Sequence, residues 1–176
     1  MSAVRTPLLL LPALLAGCAM PAMLGGGTPI EVREVGRSLY CNTPGTEPQV
    51  VLLKDPQAVL GWQAARGITL ADGEALAPTA YAVVEMGGRP TGGYGVAVAR
   101  TATLAGEDVT LSATFVSPAP GSIRTQALSS PCVLVQLPRG RYARVEVQDQ
   151  SGEARASSDA PPAAPESPAD PGVPAS

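Results

Sequence analysis

The chain has 176 residues, twelve arginine and lysine against fifteen aspartate and glutamate side chains, and a net charge of −3 without any basic block, so it lacks the electrostatic footprint of a nucleic-acid binder. It contains no histidine, which removes the usual general base and the commonest metal ligand. With no Gly-x-Ser-x-Gly motif and no evident carboxylate pair either, the composition points to no enzyme, no metal and no cofactor.

The first residues have the layout of a secretory signal peptide: Arg5, an apolar stretch from Leu8 to Ala16 interrupted by Pro12, and small residues before Cys18. As a helix that stretch would span only ~14 Å, against ~30 Å for a bilayer core, so it is not read as a permanent transmembrane segment. Leu15-Ala16-Gly17-Cys18 resembles the lipobox of bacterial lipoproteins. The resemblance implies a signal over residues 1–17, cleavage before Cys18, acylation of its thiol and stable attachment through two or three acyl chains, palmitate among them. Ala19 in place of Asp implies, by the same resemblance, the outer membrane of the envelope. Residues 18–29 read as a lipidated tether, whose flexible part has a root-mean-square span of ~18 Å.

Residues 30–149 read as one β-rich domain with a single core. Strands are expected at Ile30–Val35 and Val50–Lys54. Between them lies Cys41, which with Cys132 remains once Cys18 is lipidated, and an oxidising envelope favours a disulfide between them. Two buried free thiols are the alternative. A helix is expected at Pro56–Arg66: Asp55 suits the N-cap, Pro56 the first helical position and Gly67 the stop, with Val59, Leu60 and Trp62 facing a sheet. Gly61 and the short length mean that packing must hold it.

Further strands are expected at Ala80–Met86, Tyr94–Thr101, Val109–Val116, Cys132–Leu137 and Tyr142–Gln148. Val109–Val116 alternates apolar and hydroxyl side chains, as a half-buried strand does. Tyr142–Gln148 places Ala143, Val145 and Val147 on one face, while Cys132–Leu137 is almost uniformly apolar, as suits a strand covered on both faces. The fold class is therefore mainly β, a small antiparallel sandwich or partly open barrel with one short packed helix. Residues 150–176 contain six prolines and no large aliphatic side chain beyond Val173, and are expected to be a disordered tail.

Two loops draw functional interest. Gly87-Gly88-Arg89-Pro90-Thr91-Gly92-Gly93-Tyr94 joins two expected strands, and Gly92 and Gly93 can adopt positive φ. It lacks the Gly-Lys-Ser/Thr of a phosphate loop and leads into a strand, so nucleotide binding is rejected. Ser117–Pro131 is a fifteen-residue connection, long for a compact domain. With strands running alternately up and down, the two loops share one end, opposite the turns at Ala105–Asp108 and Pro138–Arg141.

Gly-Arg-Pro-Thr-Gly-Gly-Tyr at 88–94, Pro120-Gly121, Thr125-Gln126-Ala127-Leu128-Ser129-Ser130-Pro131 and Val133–Pro138 together resemble the PrcB C-terminal domain family over about residues 80–148. That resemblance implies an envelope accessory protein that binds a protein partner, with a secreted or surface protease as one such partner to stabilise or regulate. Pro90–Tyr94 is also similar to the Pro-Thr-Thr-Gly-Tyr/Phe loop of chagasin-type protease inhibitors, although the Arg-Pro-Trp signature of that family is missing. The candidate partner-binding residues are Arg89, Pro90, Thr91, Gly92, Gly93, Tyr94, Arg124, Thr125 and Gln126. In the competing reading, a structural envelope lipoprotein, these loops serve only the fold. The oligomeric state is left open.

Overall fold

The computed structural model describes residues 26–159, so the expected signal peptide, Cys18 and residues 160–176 lie outside the described residues. The period-two stretches form strands in two facing sheets. One holds β1 (Thr28–Glu31), β5 (Gly95–Ala105), β6 (Asp108–Val116), β8 (Arg144–Gln148) and β9 (Ala154–Asp159), in the order β1-β5-β6-β8-β9. The other holds β2 (Arg33–Ser38), β7 (Cys132–Gln136), β4 (Tyr81–Glu85) and β3 (Gln49–Leu53), in the order β2-β7-β4-β3. The pairing is antiparallel except between β6 and β8. The barrel does not close, which leaves the sandwich.

The core between the sheets takes Val50, Ala82, Val84, Val133 and Val135 from one side and Val96, Val109, Leu111, Val145 and Val147 from the other. Each valine or leucine among them contributes about 1.5–3 kcal/mol by leaving water. Thr110, Ser112 and Thr114 of β6 alternate with these and point away from the core, which is why that strand reads so clearly in the sequence. The four-stranded sheet is buried on its second face too. There α1 (Pro56–Arg66) and the chain after it lay Val59 and Leu76 over Leu53, Tyr81, Val83 and Leu134. That double cover explains the unbroken apolar runs of β4 and β7.

The helix ends follow the expected chemistry: the Asp55 side chain accepts from the Ala58 N–H at 2.8 Å, and Gly67 closes the helix in the left-handed region. Leu60 and Trp62 are half-buried, and the deeper helical contact is Gln63. Its Oε1 accepts from the backbone N–H of Leu70 and Ala71 and its Nε2 donates to the Ala71 carbonyl, so one amide holds the chain after the helix.

Several expectations need correction. The tether ends earlier than position 29, because Thr28 and Pro29 already pair with Leu104 and Thr103 in β1; a proline is tolerated on such an edge. The strand expected at Ile30–Val35 is two strands, with Val32 as the joint where the chain passes from one sheet to the other. Residues 150–159 are not part of a disordered tail: β9 pairs with β8 at every residue but Arg155, where the register shifts. Composition misled because β9 gains little from apolar burial and most from backbone pairing along an otherwise open edge. Its turn is closed by Asp149, whose carboxylate accepts from Ser151 Oγ and from the backbone N–H of Ser151 and Glu153. Those bonds, with the Ser151 hydroxyl first, lower its pKa to about 2. Ala143 is exposed rather than inward and precedes β8, while Tyr142 packs on the core and donates to the Pro138 carbonyl at 2.9 Å.

The described chain begins beside Leu104 and ends with Asp159 opposite Arg144. Both lie at the end of the β5–β6 turn, where Ala143 N–H donates to the Glu107 carbonyl. The loops at 87–94 and 117–131 lie at the far end of β6, about 30 Å away for nine residues of strand.

Candidate functional site

Three segments meet at that far end. Arg89 and Ser129 exchange backbone hydrogen bonds of 2.7 and 2.9 Å, Gly92 N–H donates to the Thr125 carbonyl at 3.0 Å, and the Ser129 hydroxyl donates to the Thr91 carbonyl at 2.9 Å. The two loops are therefore one platform. A third segment joins through Ser130 N–H to the Leu39 carbonyl, Cys41 N–H to the Ser130 carbonyl and Gly88 N–H to the Gly45 carbonyl, 2.8–2.9 Å each. Between the segments runs a groove of about 610 Å³, walled by Tyr40, Pro90 and Leu128 and edged by Thr43, Thr46 and Ser130. Tyr40 is 55% exposed and Leu128 78%, and Leu39 and Ile123 expose further apolar surface at the same end.

The candidate residues divide in two. Arg89 turns inward: its guanidinium donates to the Met86 carbonyl at 2.7 Å and stacks on the Tyr94 ring, 5.6 Å from the centroid. Arg124 folds back on its own loop, donating to Ser122 Oγ and the Ala119 carbonyl. Thr91 and Gly92 are half-buried and supply backbone bonds. Pro90, Gly93, Thr125 and Gln126 are exposed and free to meet another molecule. Gly93, at φ +88°, makes the turn that brings Pro118 against it.

Beneath the platform is a polar cluster that sequence reasoning missed. Glu85, fully buried at the end of β4, accepts from Arg66 through two bonds of 3.0 and 3.2 Å and from the Thr43 hydroxyl at 2.8 Å. Arg66 also donates to the Asn42 carbonyl at 3.0 Å, Asn42 Nδ2 returns a bond to the Arg66 carbonyl at 2.7 Å, and the guanidinium lies over Trp62. The helix end, the groove wall and β4 are thus fixed to one another. The signal was present as a glutamate ending an apolar strand, since a charge there demands a partner.

Cys41 and Cys132 are bonded, with Cα atoms 6.0 Å apart. The disulfide joins the two groove walls, one residue from Tyr40 and two from Ser130. Tyr40 could have been found from it, because pairing these cysteines places their neighbours together.

Gly87 sits where the platform meets β4, at φ +83°, and an added Cβ would lie 2.4 Å from the Thr46 carbonyl oxygen. Gly87→Ala is expected to cost at least about 2 kcal/mol, from positive-φ strain and displacement of the groove wall together. Urea denaturation measures it, and an unchanged midpoint would contradict the packing described.

No curated protein and no solved structure matches the chain. A family model described as PrcB C-terminal matches residues 80–138, the span from β4 through β7 that carries both loops. The residues that build the platform on β4 to β7 thus belong to the PrcB C-terminal family.

Proposed function

We propose that this chain is an envelope lipoprotein whose PrcB C-terminal domain is a protein-binding module, holding a partner at the loop platform and supplying no chemistry of its own. The observation that carries the reading is the placement of the platform, with its exposed Tyr40, Leu128, Thr125 and Gln126, at the end opposite Gly26. A chain anchored at Cys18 enters at Gly26, so the platform is held about 30 Å further from the membrane than the entry point. Among the described residues no helix is long and apolar enough to cross a membrane. In this reading attachment is through the acylated cysteine, as the resemblance of Leu15–Cys18 to a lipobox implies. The Cys41–Cys132 bond fits an oxidising compartment.

A secreted or surface protease is the partner class this reading favours, from the resemblance carried by the loop motifs. Tyrosine suits such a contact because it brings large area at small entropic cost. Replacing Tyr40, Gln126 and Leu128 together by alanine is expected to leave the thermal midpoint nearly unchanged, since exposed substitutions cost within about 0.5 kcal/mol each. Recovery of the partner with the affinity-purified lipoprotein is expected to fall at least about tenfold, a loss of about 1.4 kcal/mol in binding. Undiminished recovery with an intact fold would reject the platform as the contact.

A further inference from the structure

Strand β5 is paired along only half of its outer edge. β1 covers Thr101–Leu104, Val32 N–H donates to the Arg100 carbonyl at 2.8 Å, and from Arg33 the chain joins β7 in the other sheet. From Gly95 to Ala99 no strand pairs with that side among the described residues. Backbone groups alternate in direction along an antiparallel strand. The Arg100 carbonyl points to the open side, so the N–H and C=O of Val98 and Val96 point there too. The irregularity between Val98 and Ala102 inserts two residues, which preserves the alternation.

Residues of β2 and β5 line a cleft of about 1010 Å³. Val98 and Val135, which belong to the core between the sheets, supply apolar lining to the cleft. On its rim Arg33, Arg37 and Arg100 stand against Glu31 and Glu34. Glu34 is already paired with Arg37, and Arg100 has no ion-pair partner among the described residues, so the rim carries a positive excess.

We propose that this edge takes an extended polypeptide strand from another protein, added to β5 in the lane that β1 leaves at Val32. A row of unpaired donors and acceptors is matched by another backbone, as in strand addition to sheet edges. Side chains of an added strand alternate between apolar lining and rim, so the matching segment is apolar at one position and acidic at the next. The chain's own residues 160–176 do not fit the lane, because their six prolines lack the donors it needs. The cleft is separate from the loop platform, and the two surfaces can be tested apart.

The test uses the chain from residue 18 onward with Cys18→Ala and two synthetic heptapeptides that alternate valine with glutamate or valine with lysine. Binding of the glutamate peptide is expected to slow amide exchange at Val96 and Val98 by about tenfold or more. The lysine peptide is expected to bind about tenfold more weakly, and added salt to narrow the difference. Val98→Pro removes the donor on the open side without touching the β6 ladder and is expected to abolish binding. Should that variant not fold, Arg100→Glu supplies the second test by shifting the preference toward the lysine peptide. Unchanged exchange at Val96 and Val98 with millimolar peptide, or equal affinity for both peptides, would overturn the proposal. A concentration-dependent dimer abolished by Val98→Pro would overturn it as well, by giving the edge to a second copy. The Tyr40, Gln126 and Leu128 substitutions should leave peptide binding intact, so failure of the platform and failure of the cleft are distinguishable.

Discussion

Replacing Cys41 and Cys132 together by alanine should lower the unfolding free energy by about 4.5 kcal/mol. The bond spans a sequence separation of 91 residues, and closing so long a loop removes much of the freedom of the unfolded chain. For a domain of this size that corresponds to a fall in thermal midpoint on the order of 15 °C. Chemical denaturation of oxidised protein and of the double variant measures the difference. The effect should also be local in the folded state: Cys41 and Ser130 bond each other's segments across the groove, so their amides should exchange faster in the variant. A loss below about 1 kcal/mol would mean that the pairing of β2 with β7 already confines the unfolded chain.

Glu85→Ala should be nearly as damaging, by about 3–5 kcal/mol, because it leaves the Arg66 guanidinium in a largely dry site with no countercharge and the Thr43 hydroxyl with no acceptor. The pair itself need not be a large source of stability. Taking both charges out of water is costly, and apolar replacements of similar shape can be neutral. Glu85→Leu with Arg66→Met is therefore expected to recover most of the stability that Glu85→Ala loses. The double variant should nevertheless loosen Asn42 and Thr43, which the Arg66 and Glu85 side chains fix in the groove wall. If Glu85→Ala and the double variant are equally destabilised, the cost lies in packing rather than in an orphaned charge.

What was legible in the sequence was what is decided locally or by simple counting. The cap at Asp55, the stop at Gly67 and the alternation of Val109–Val116 are interactions among near neighbours, and they appear where the sequence puts them. The disulfide followed from the two cysteines left in a chain expected to be exported. The meeting of the loops at one end followed from strand direction alone. What was not legible depends on partners far along the chain. Nothing near Val145 announces that β8 runs parallel to β6, and nothing near Val32 says that one extended stretch serves two sheets. The polar strand β9 exists because β8 offers it an edge.

The candidate site was half legible for the same reason. The glycine-rich loop was visible as a turn, but Arg89, which looked like a hand offered to a partner, bonds Met86 and Tyr94 instead. Its neighbours on the exposed surface come from Tyr40 and Leu128, brought alongside by pairing that no local motif encodes.

The platform end of the domain is held to touch another protein, while the outer face of the five-stranded sheet and the β9 edge are not. A photo-reactive residue placed singly at Gln126, Leu128, Ser112 or Ser157 of the full chain, irradiated in intact cells, tests it most directly. Gln126 and Leu128 stand on the platform, Ser112 on the outer face of the five-stranded sheet and Ser157 on β9. One discrete adduct is expected from the first two positions and none from the others. Adducts of equal yield from all four positions, or from Ser112 and Ser157 alone, would contradict it.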